Sequence, residues 1–247
     1  MRKVKGTKEM LHKGPLILVN HDHPMEMGKA PDLVPVDERR PDLLLERLAA
    51  RLLIACIEDV GGKEDIVPVS GWRSQREQQS IWQETLQKEG EVFTQKYVAY
   101  PGCSEHQTGL AIDLGTAADH IDFIRPYFSY EGVCGRFRKM AAKYGFIQRY
   151  QEDKQALTGI GAEPWHFRYV GVPHAQWMES QNLCLEEYTD FLRGDSYCCT
   201  LNNGQSAQVY FVPYEGEDTE IWLPESCYQI AGNNVDGFII TVWGKVG

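Results

Sequence analysis

The order of patterns along this 247-residue chain predicts an α+β fold. Helix-period and strand-period segments follow one another neither in strict alternation nor fully segregated. A change of composition after Gly194 adds a run of short β-type segments at the C-terminal end. With 43% hydrophobic residues, the chain can bury a sizeable core. Its formal net charge of -10 argues against a nucleic-acid or anionic-membrane surface and favours solubility.

PDLLLERLAARLLIACIEDVGG, from Pro41, carries Leu44, Leu48, Leu52 and Ala55 at helical spacing and stops at Gly61-Gly62. IVPVSGW, Ile66 to Trp72, reads as a short buried strand. Ser74 with Glu77 three residues later forms a capping box and opens a helix ending near Gly90. Pro101-Gly102 interrupts regular structure. LAIDLG is apolar and reads as a buried strand carrying Asp113. FRKMAAKYG is a helix closed by Gly145. FIQRY and WHFRYVG, rich in aromatic and β-branched residues, are strands, and HAQWMESQ and LEEYTDFLRG are helices. GDSYCCTLNNGQS has linker character. VYFVPY, TEIWLP, YQIAG and GFIITVW follow as four short strands. The expected division is a domain over 1–194 and a small β-rich appendage over 195–247.

The N-terminal apolar run, Pro15 to Val19, is too short for the core of a signal peptide. No stretch approaches the roughly 18 to 20 apolar residues of a membrane span. The seven cysteines are odd in number and form no CxxC pair, which suits reduced thiols. The expectation is a cytoplasmic protein.

SEHQTGLAIDLG sets His106 and Asp113 seven positions apart. A catalytic zinc site takes three protein ligands and keeps one position for water. The third candidate is His166, in EPWHFRYVG. Glu163 stands three residues before it, and in a regular strand such positions face opposite sides. Pro164 at the start of the strand can break that rule and bring both side chains to one site. A carboxylate there could move the protons of a hydrolysis. Arg73, just after a buried strand, is a candidate for stabilising an oxyanion, with a surface ion pair as the alternative. His21 to His23 read as an exposed loop, His174 as a polar contact at a helix start, and His120 with Asp119 and Asp122 as a solvated loop. Trp72, Trp82 and Trp165 read as core or pocket-wall aromatics, with Trp165 placed best to line a substrate pocket.

SGWRSQREQ, YVAYPGCSEHQTGLAIDLG and EPWHFRYVG, in this order, resemble the motifs of the VanY and VanXY D-alanyl-D-alanine carboxypeptidases of zinc peptidase family M15. The likeness runs from about Leu18 to Leu192, and the β-rich tail is similar to that of the VanXY branch of the VanG type. Trp72 departs from the pattern, since many relatives have Tyr there. The resemblance implies a hedgehog-like core in which helices flank a central antiparallel sheet. It implies one Zn²⁺ per chain, held by His106, Asp113 and His166. Glu163 is then the general base and acid, and Arg73 polarises the scissile carbonyl. Gln78, Ser104 and Trp165 line the site for the D-Ala-D-Ala end of a substrate.

VanY members usually carry an N-terminal anchor or signal, and none is visible here, so VanXY is the nearer likeness. The implied activity is hydrolysis of free D-Ala-D-Ala and removal of the terminal D-Ala from pentapeptide peptidoglycan precursors, which removes the vancomycin target. Nucleic acid and membrane are not expected partners, and a homodimer is left open. Two other readings stand beside this one: an L,D-carboxypeptidase of the same family, and a non-catalytic zinc-bound binding module. Intact Glu163 and Arg73 argue against the latter. The stretch from Thr116 to Gly132 reads as a loop over the site.

Overall fold

The computed structural model describes residues 2–26, 31–38, 40–201, 204–217 and 219–244. The chain forms two compact units. One is Val19–Glu179; the other joins Met1–Leu18 to Ser180–Gly247. The division therefore falls at 18/19 and 179/180, and the boundary expected after Gly194 lies inside the second unit.

The second unit opens the chain with strand β1 (Arg2–Lys5) and the one-turn helix α1 (Lys8–Leu11). The first unit then begins with an antiparallel hairpin, β2 (Leu33–Asp37) and β3 (Arg40–Glu46). Here the structure corrects the sequence reading, which began a helix at Pro41. Leu43 and Leu45 are buried and Leu44 is less so, the period-2 pattern of a strand. Helix α2 starts only at Arg47 and runs to Asp59. Its start is set by Glu46, whose carboxylate accepts from the backbone N–H groups of Leu48 and Ala49. A leucine run satisfies both periods, and the N-cap decides where one gives way to the other.

Strand β4 (Ile66–Ser70), helix α3 (Gln75–Glu89) and helix α4 (Glu91–Tyr97) follow. Ser74 caps α3 as expected, its hydroxyl accepting from Glu77 N at 3.1 Å. Strand β5 (Ala111–Thr116), helix α5 (Gly132–Ala141), strand β6 (Phe146–Tyr150), the short helix α6 (Gln155–Thr158), strand β7 (Glu163–Tyr169) and helix α7 (Val172–Gln181) complete the unit's elements. The four strands form one antiparallel sheet in the order β4-β5-β7-β6. Strand β5 is buried along nearly its whole length, so its apolar side chains fill both faces. On one side Leu53, Cys56 and Ile57 of α2 and Phe137 of α5 pack with Ile112, Leu114 and Phe167. Phe128, Phe137 and Phe167 meet edge to face, with centroids 5.1 to 5.9 Å apart. Each such side chain contributes roughly 1.5–3 kcal/mol by leaving water.

In the second unit helix α8 (Leu185–Gly194) leads to β8 (Tyr197–Thr200), β9 (Ser206–Pro213), β10 (Glu220–Leu223), β11 (Cys227–Gly232) and β12 (Gly237–Gly244). The sheet order is β11-β12-β9-β8, and β10 pairs instead with β1. The stretch read as a linker thus contains a strand: Tyr197, Cys198 and Cys199 pair with Val209, Gln208 and Ala207. Residues 202–203 of that stretch lie outside the described residues. Leu11 joins Ile221, Leu223, Phe238 and Ile240 in one apolar cluster. Asn234 Nδ2 donates to Leu18 O at 2.8 Å, which ties the end of the N-terminal segment to the tail. None of the seven cysteines is in a disulfide. Among the described residues no helix is long and apolar enough to cross a membrane.

His174 on α7 is buried as a polar group at a helix start, and burial pushes its imidazole down to about 3. An unfolded histidine titrates near 6.5. Between those values only the unfolded chain binds the proton. The contribution is therefore complete above about pH 6.5 and is lost as pH falls toward 3, by about 1.4 kcal/mol per pH unit. Denaturant unfolding of the wild type and His174→Gln between about pH 7 and pH 5 should show the variant losing less stability on acidification. Equal losses would mean that His174 does not stay neutral in the folded protein.

Candidate active site

The first unit's sheet aligns three site residues side by side. Asp113 on β5 pairs with His166 on β7 at one side and with Ser70 on β4 at the other. Facing Cβ atoms in such a row stand about 4.5–5.5 Å apart, close enough for short polar side chains to meet. His166 Nδ1 lies 2.9 Å from Asp113 Oδ1. His106 arrives from outside the sheet, on a single 3-10 turn over Glu105–Thr108. That turn closes at Gly109, whose φ of 72° is left-handed and whose added Cβ would lie 2.8 Å from Leu33 Cδ2. His106 Nε2 is 3.2 Å from Asp113 Oδ2, and the two imidazoles meet edge to face at 4.9 Å. One ligand atom from each of His106, Asp113 and His166 falls within 4.8 Å of the others.

The loop after β4 holds the other half of the site. Gly71 packs so tightly on the β3 hairpin that a Cβ would meet Leu44 O at 2.3 Å. Trp72 N donates to that same carbonyl at 2.7 Å. Gly71 O in turn takes the Nδ1 proton of His106 at 2.7 Å. A carbonyl only accepts, so this bond leaves Nε2 of neutral His106 bare. Arg73 is buried rather than at the surface. Its Nε donates to Ser70 Oγ at 2.8 Å, its Nη2 to Asp113 Oδ2 at 2.8 Å, and its Nη1 reaches Gln78 Oε1 at 3.4 Å. Gln78 Nε2 donates to Ala99 O at 2.8 Å, so both ends of that amide engage the protein. Phe123, from the loop expected over the site, lies against the Arg73 guanidinium.

Glu163 reaches the same place through an irregularity. Phe167 faces Gln148 across β6 and β7, yet Glu163, four residues away, faces Tyr150, only two away. The extra residues around Pro164 form a bulge, which rephases the strand. Glu163 Oε2 ends 3.7 Å from His166 Nδ1. A small cavity of about 30 Å³ joins these groups, lined by Arg73, Gln78, Ser104, His106, Asp113, Glu163, Trp165 and His166 among others. The Ser104 hydroxyl caps no amide of the turn it precedes. Tyr150, Glu105 and Ile124 also line the cavity, and no local sequence signal marked them. His21 and Asp22 line a larger, adjoining cavity of about 530 Å³, which shares Val98, Ala99, Tyr150 and Ile160 with the first and is bounded also by Trp82 and Tyr100. Asp122 turns back on its own loop, accepting from Ile124 N and Arg125 N.

The electrostatics separate these groups by task. Burial pushes the Glu163 carboxyl up to about 8, and Asp113 beside it pushes the same way. Burial also opposes the charge on Asp113, but His106 and His166 outweigh it and hold that carboxyl far below the usual carboxylate range. Burial, then Arg73, pushes His106 down to about 4. His166 is disfavoured as a cation by burial, yet the carboxylates of Asp113 and Glu105 beside it carry it up to about 9.

A metal fits this arrangement on its own terms. The bare Nε2 of neutral His106 faces an ionised carboxylate oxygen, an acceptor against an acceptor. His166 lies between the carboxylates of Asp113 and Glu105, and without a cation it must carry a second proton to face both, a proton that a metal on Nδ1 would replace. One divalent cation among His106 Nε2, Asp113 and His166 Nδ1 turns these conflicts into ligation.

A divalent-cation trio on a sheet floor, beside a buried acid that titrates near neutrality, is the chemistry of a metallopeptidase. The comparisons carry this further. The family described as VanY, D-alanyl-D-alanine carboxypeptidase, matches residues 47–172. The chain is 41% identical over 181 residues to the bifunctional D-Ala-D-Ala dipeptidase and carboxypeptidase VanXYC of Enterococcus gallinarum, covering 72% of this chain and 94% of that protein. The crystal structure of the vancomycin-resistance D,D-dipeptidase VanXYg with a D-Ala-D-Ala phosphinate analogue is similar with a TM-score of 0.96 and 46% identity, over 98% of this chain and 99% of that one. The LD-carboxypeptidase LdcB is similar with a TM-score of 0.57 and 31% identity, over 70% and 84%. This chain belongs to the VanY family of D-alanyl-D-alanine carboxypeptidases.

His166→Ala removes one corner of the trio and should reduce divalent metal retained after dialysis from one equivalent to near none. Elemental analysis of the folded variant reads this directly. A full equivalent retained would assign the metal to other ligands.

Proposed function

We propose that this chain is a zinc-dependent D,D-peptidase that hydrolyses D-Ala-D-Ala and also trims the terminal D-Ala from pentapeptide peptidoglycan precursors. Removing those ends removes the vancomycin target, and the result is glycopeptide resistance. The observation that carries the reading is the near-complete likeness to VanXYg, in both units of the chain and at 46% identity. The L,D-peptidase alternative rests on a match to part of the chain only. A cytoplasmic setting is supported by seven thiols outside any disulfide, four of them buried.

One zinc ion, held by His106, Asp113 and His166, would supply Lewis acidity to a water and to the scissile carbonyl. The chain's own groups do the rest. Glu163, with its carboxyl near neutrality, takes a proton from the attacking water and returns it to the nitrogen of the departing D-alanine. Arg73 meets the negative charge that develops on the carbonyl oxygen. Its fixed position, on Ser70, Asp113 and Gln78, means that no reorganisation is needed as that charge grows. Trp165 walls the cavity, Ser104 offers a hydroxyl to the substrate's D-Ala-D-Ala end, and Gln78 shapes the same end while steadying Arg73.

D-alanine release by the zinc-loaded protein, with D-Ala-D-Ala and a pentapeptide precursor assayed side by side, tests the function. Release from both is expected. Release from the pentapeptide alone would leave a carboxypeptidase, and release from neither would favour an L,D-peptidase, to be assayed on tetrapeptides. Glu163→Gln should keep its zinc and lose about 10²- to 10⁴-fold in turnover. Wild-type turnover in that variant would remove Glu163 from the mechanism.

A further inference from the structure

Glu105 belongs neither to the ligand trio nor to the proton path, yet its side chain is wholly enclosed. Its two oxygens have different surroundings. Oε1 accepts from Arg149 Nε at 2.8 Å and lies 2.9 Å from Arg168 Nη1. Oε2 takes no hydrogen bond and faces His166 Nε2 across 3.6 Å, and that nitrogen makes none either. Two enclosed polar atoms this close, neither hydrogen-bonded among the described residues, are natural partners for each other.

We propose that Glu105 is a positioning residue of the metal site: its Oε2 accepts the Nε2 proton of His166 and so holds the bare Nδ1 toward Asp113 and His106. The inference rests on reading that trio as a metal site. The two guanidiniums on Oε1 keep the carboxylate from turning, which leaves Oε2 aimed at the imidazole. They come from both neighbouring strands, Arg149 on β6 and Arg168 on β7. Arg168 stands two residues from His166, on the same face of its strand. Glu105 itself adjoins His106, so one short turn supplies a ligand and the group that orients the opposite ligand. Tyr150 stacks on the His166 ring at 4.9 Å and limits its tilt. The two histidines are thus set by different acceptors, His106 by the Gly71 carbonyl and His166 by a carboxylate. A carboxylate acceptor also makes the imidazole a stronger donor to a cation.

Competition of the protein with a chromophoric chelator for Zn²⁺ measures affinity in the wild type, Glu105→Gln and Leu53→Ala. Long-range ¹H–¹⁵N spectra of the zinc-loaded wild type report which His166 nitrogen carries the proton. Glu105→Gln should bind zinc about 10- to 100-fold more weakly. Leu53→Ala truncates a buried side chain of α2 that belongs to none of the site's groups, and should lower the melting temperature while zinc affinity stays within a few-fold. His166 should show a protonated, slowly exchanging Nε2. A Glu105→Gln variant with wild-type zinc affinity would overturn the inference and leave the metal reading intact. So would affinity losses that follow melting temperature in both variants. Should Glu105→Gln fail to fold, the wild-type spectrum decides, and a proton-free Nε2 on His166 overturns the proposal. A wild type that binds no zinc overturns this inference and the metal reading together.

Discussion

Asp113 sits at the point where the other site residues converge. Its carboxylate is buried on the central strand, takes a guanidinium on Oδ2 and has an imidazole close to each oxygen. Removing a carboxylate of this kind from water costs several kcal/mol, which only well-aimed partners offset. The partners are well aimed because the backbone determines where they start. Antiparallel pairing sets Ser70, Asp113 and His166 in register, and the Gly71 turn brings Arg73 over the row. The sheet is therefore what makes a charge tolerable here, and the charge is what makes the sheet's centre useful.

The sheet also departs from regularity where the chemistry needs it. An even pleat would send Glu163 and His166 to opposite faces, with one of them buried in the phenylalanine cluster. The bulge at Pro164 brings both to one cavity. Glu163 then shares space with Asp113 but stands farther from His166, at 3.7 Å against 2.9 Å, and the two carboxyls diverge: Asp113 stays ionised while Glu163 titrates near neutrality. On the proposed mechanism Asp113, held by a guanidinium and two imidazoles, serves as a ligand, and Glu163, with His166 at 3.7 Å, carries the proton.

Much of this was legible in the chain. His106, Asp113, His166, Glu163 and Arg73 could be chosen from residue type and local pattern, and the structure brings all five to one cavity. Pro164 carried the signal for the broken pleat. The hairpin before α2 was not legible, because Leu43 to Leu45 satisfy a helix period as well as a strand period, and the choice depends on a partner strand ten residues away. Strand β8 was hidden for a related reason: Ser196 to Thr200 are polar enough to pass for a linker until β9 pairs with them. Glu105 was invisible in a different way. Beside His106 it looks like a solvated acid, and only the fold brings Arg149 and Arg168, 44 and 63 positions along the sequence, to enclose it.

The burial of three arginines around so small a cavity has a consequence for the charge that the site can receive. Arg149 and Arg168 spend charge on Glu105, and Arg73 spends its charge on Asp113. A divalent cation at the trio would have only Asp113 as an anionic ligand, and that carboxylate already serves Arg73. The local balance is then positive even with Glu163 ionised. Excess positive charge is costly in the resting state, in a region of low effective dielectric. On the proposed mechanism it becomes favourable when a peptide carbonyl oxygen gains negative charge beside Arg73. A site that is most nearly neutral at the top of the barrier binds that state better than the ground state. The same surplus makes the ligand histidines worth holding from behind, since a cation in a positive setting is retained by the geometry and basicity of its ligands rather than by net charge.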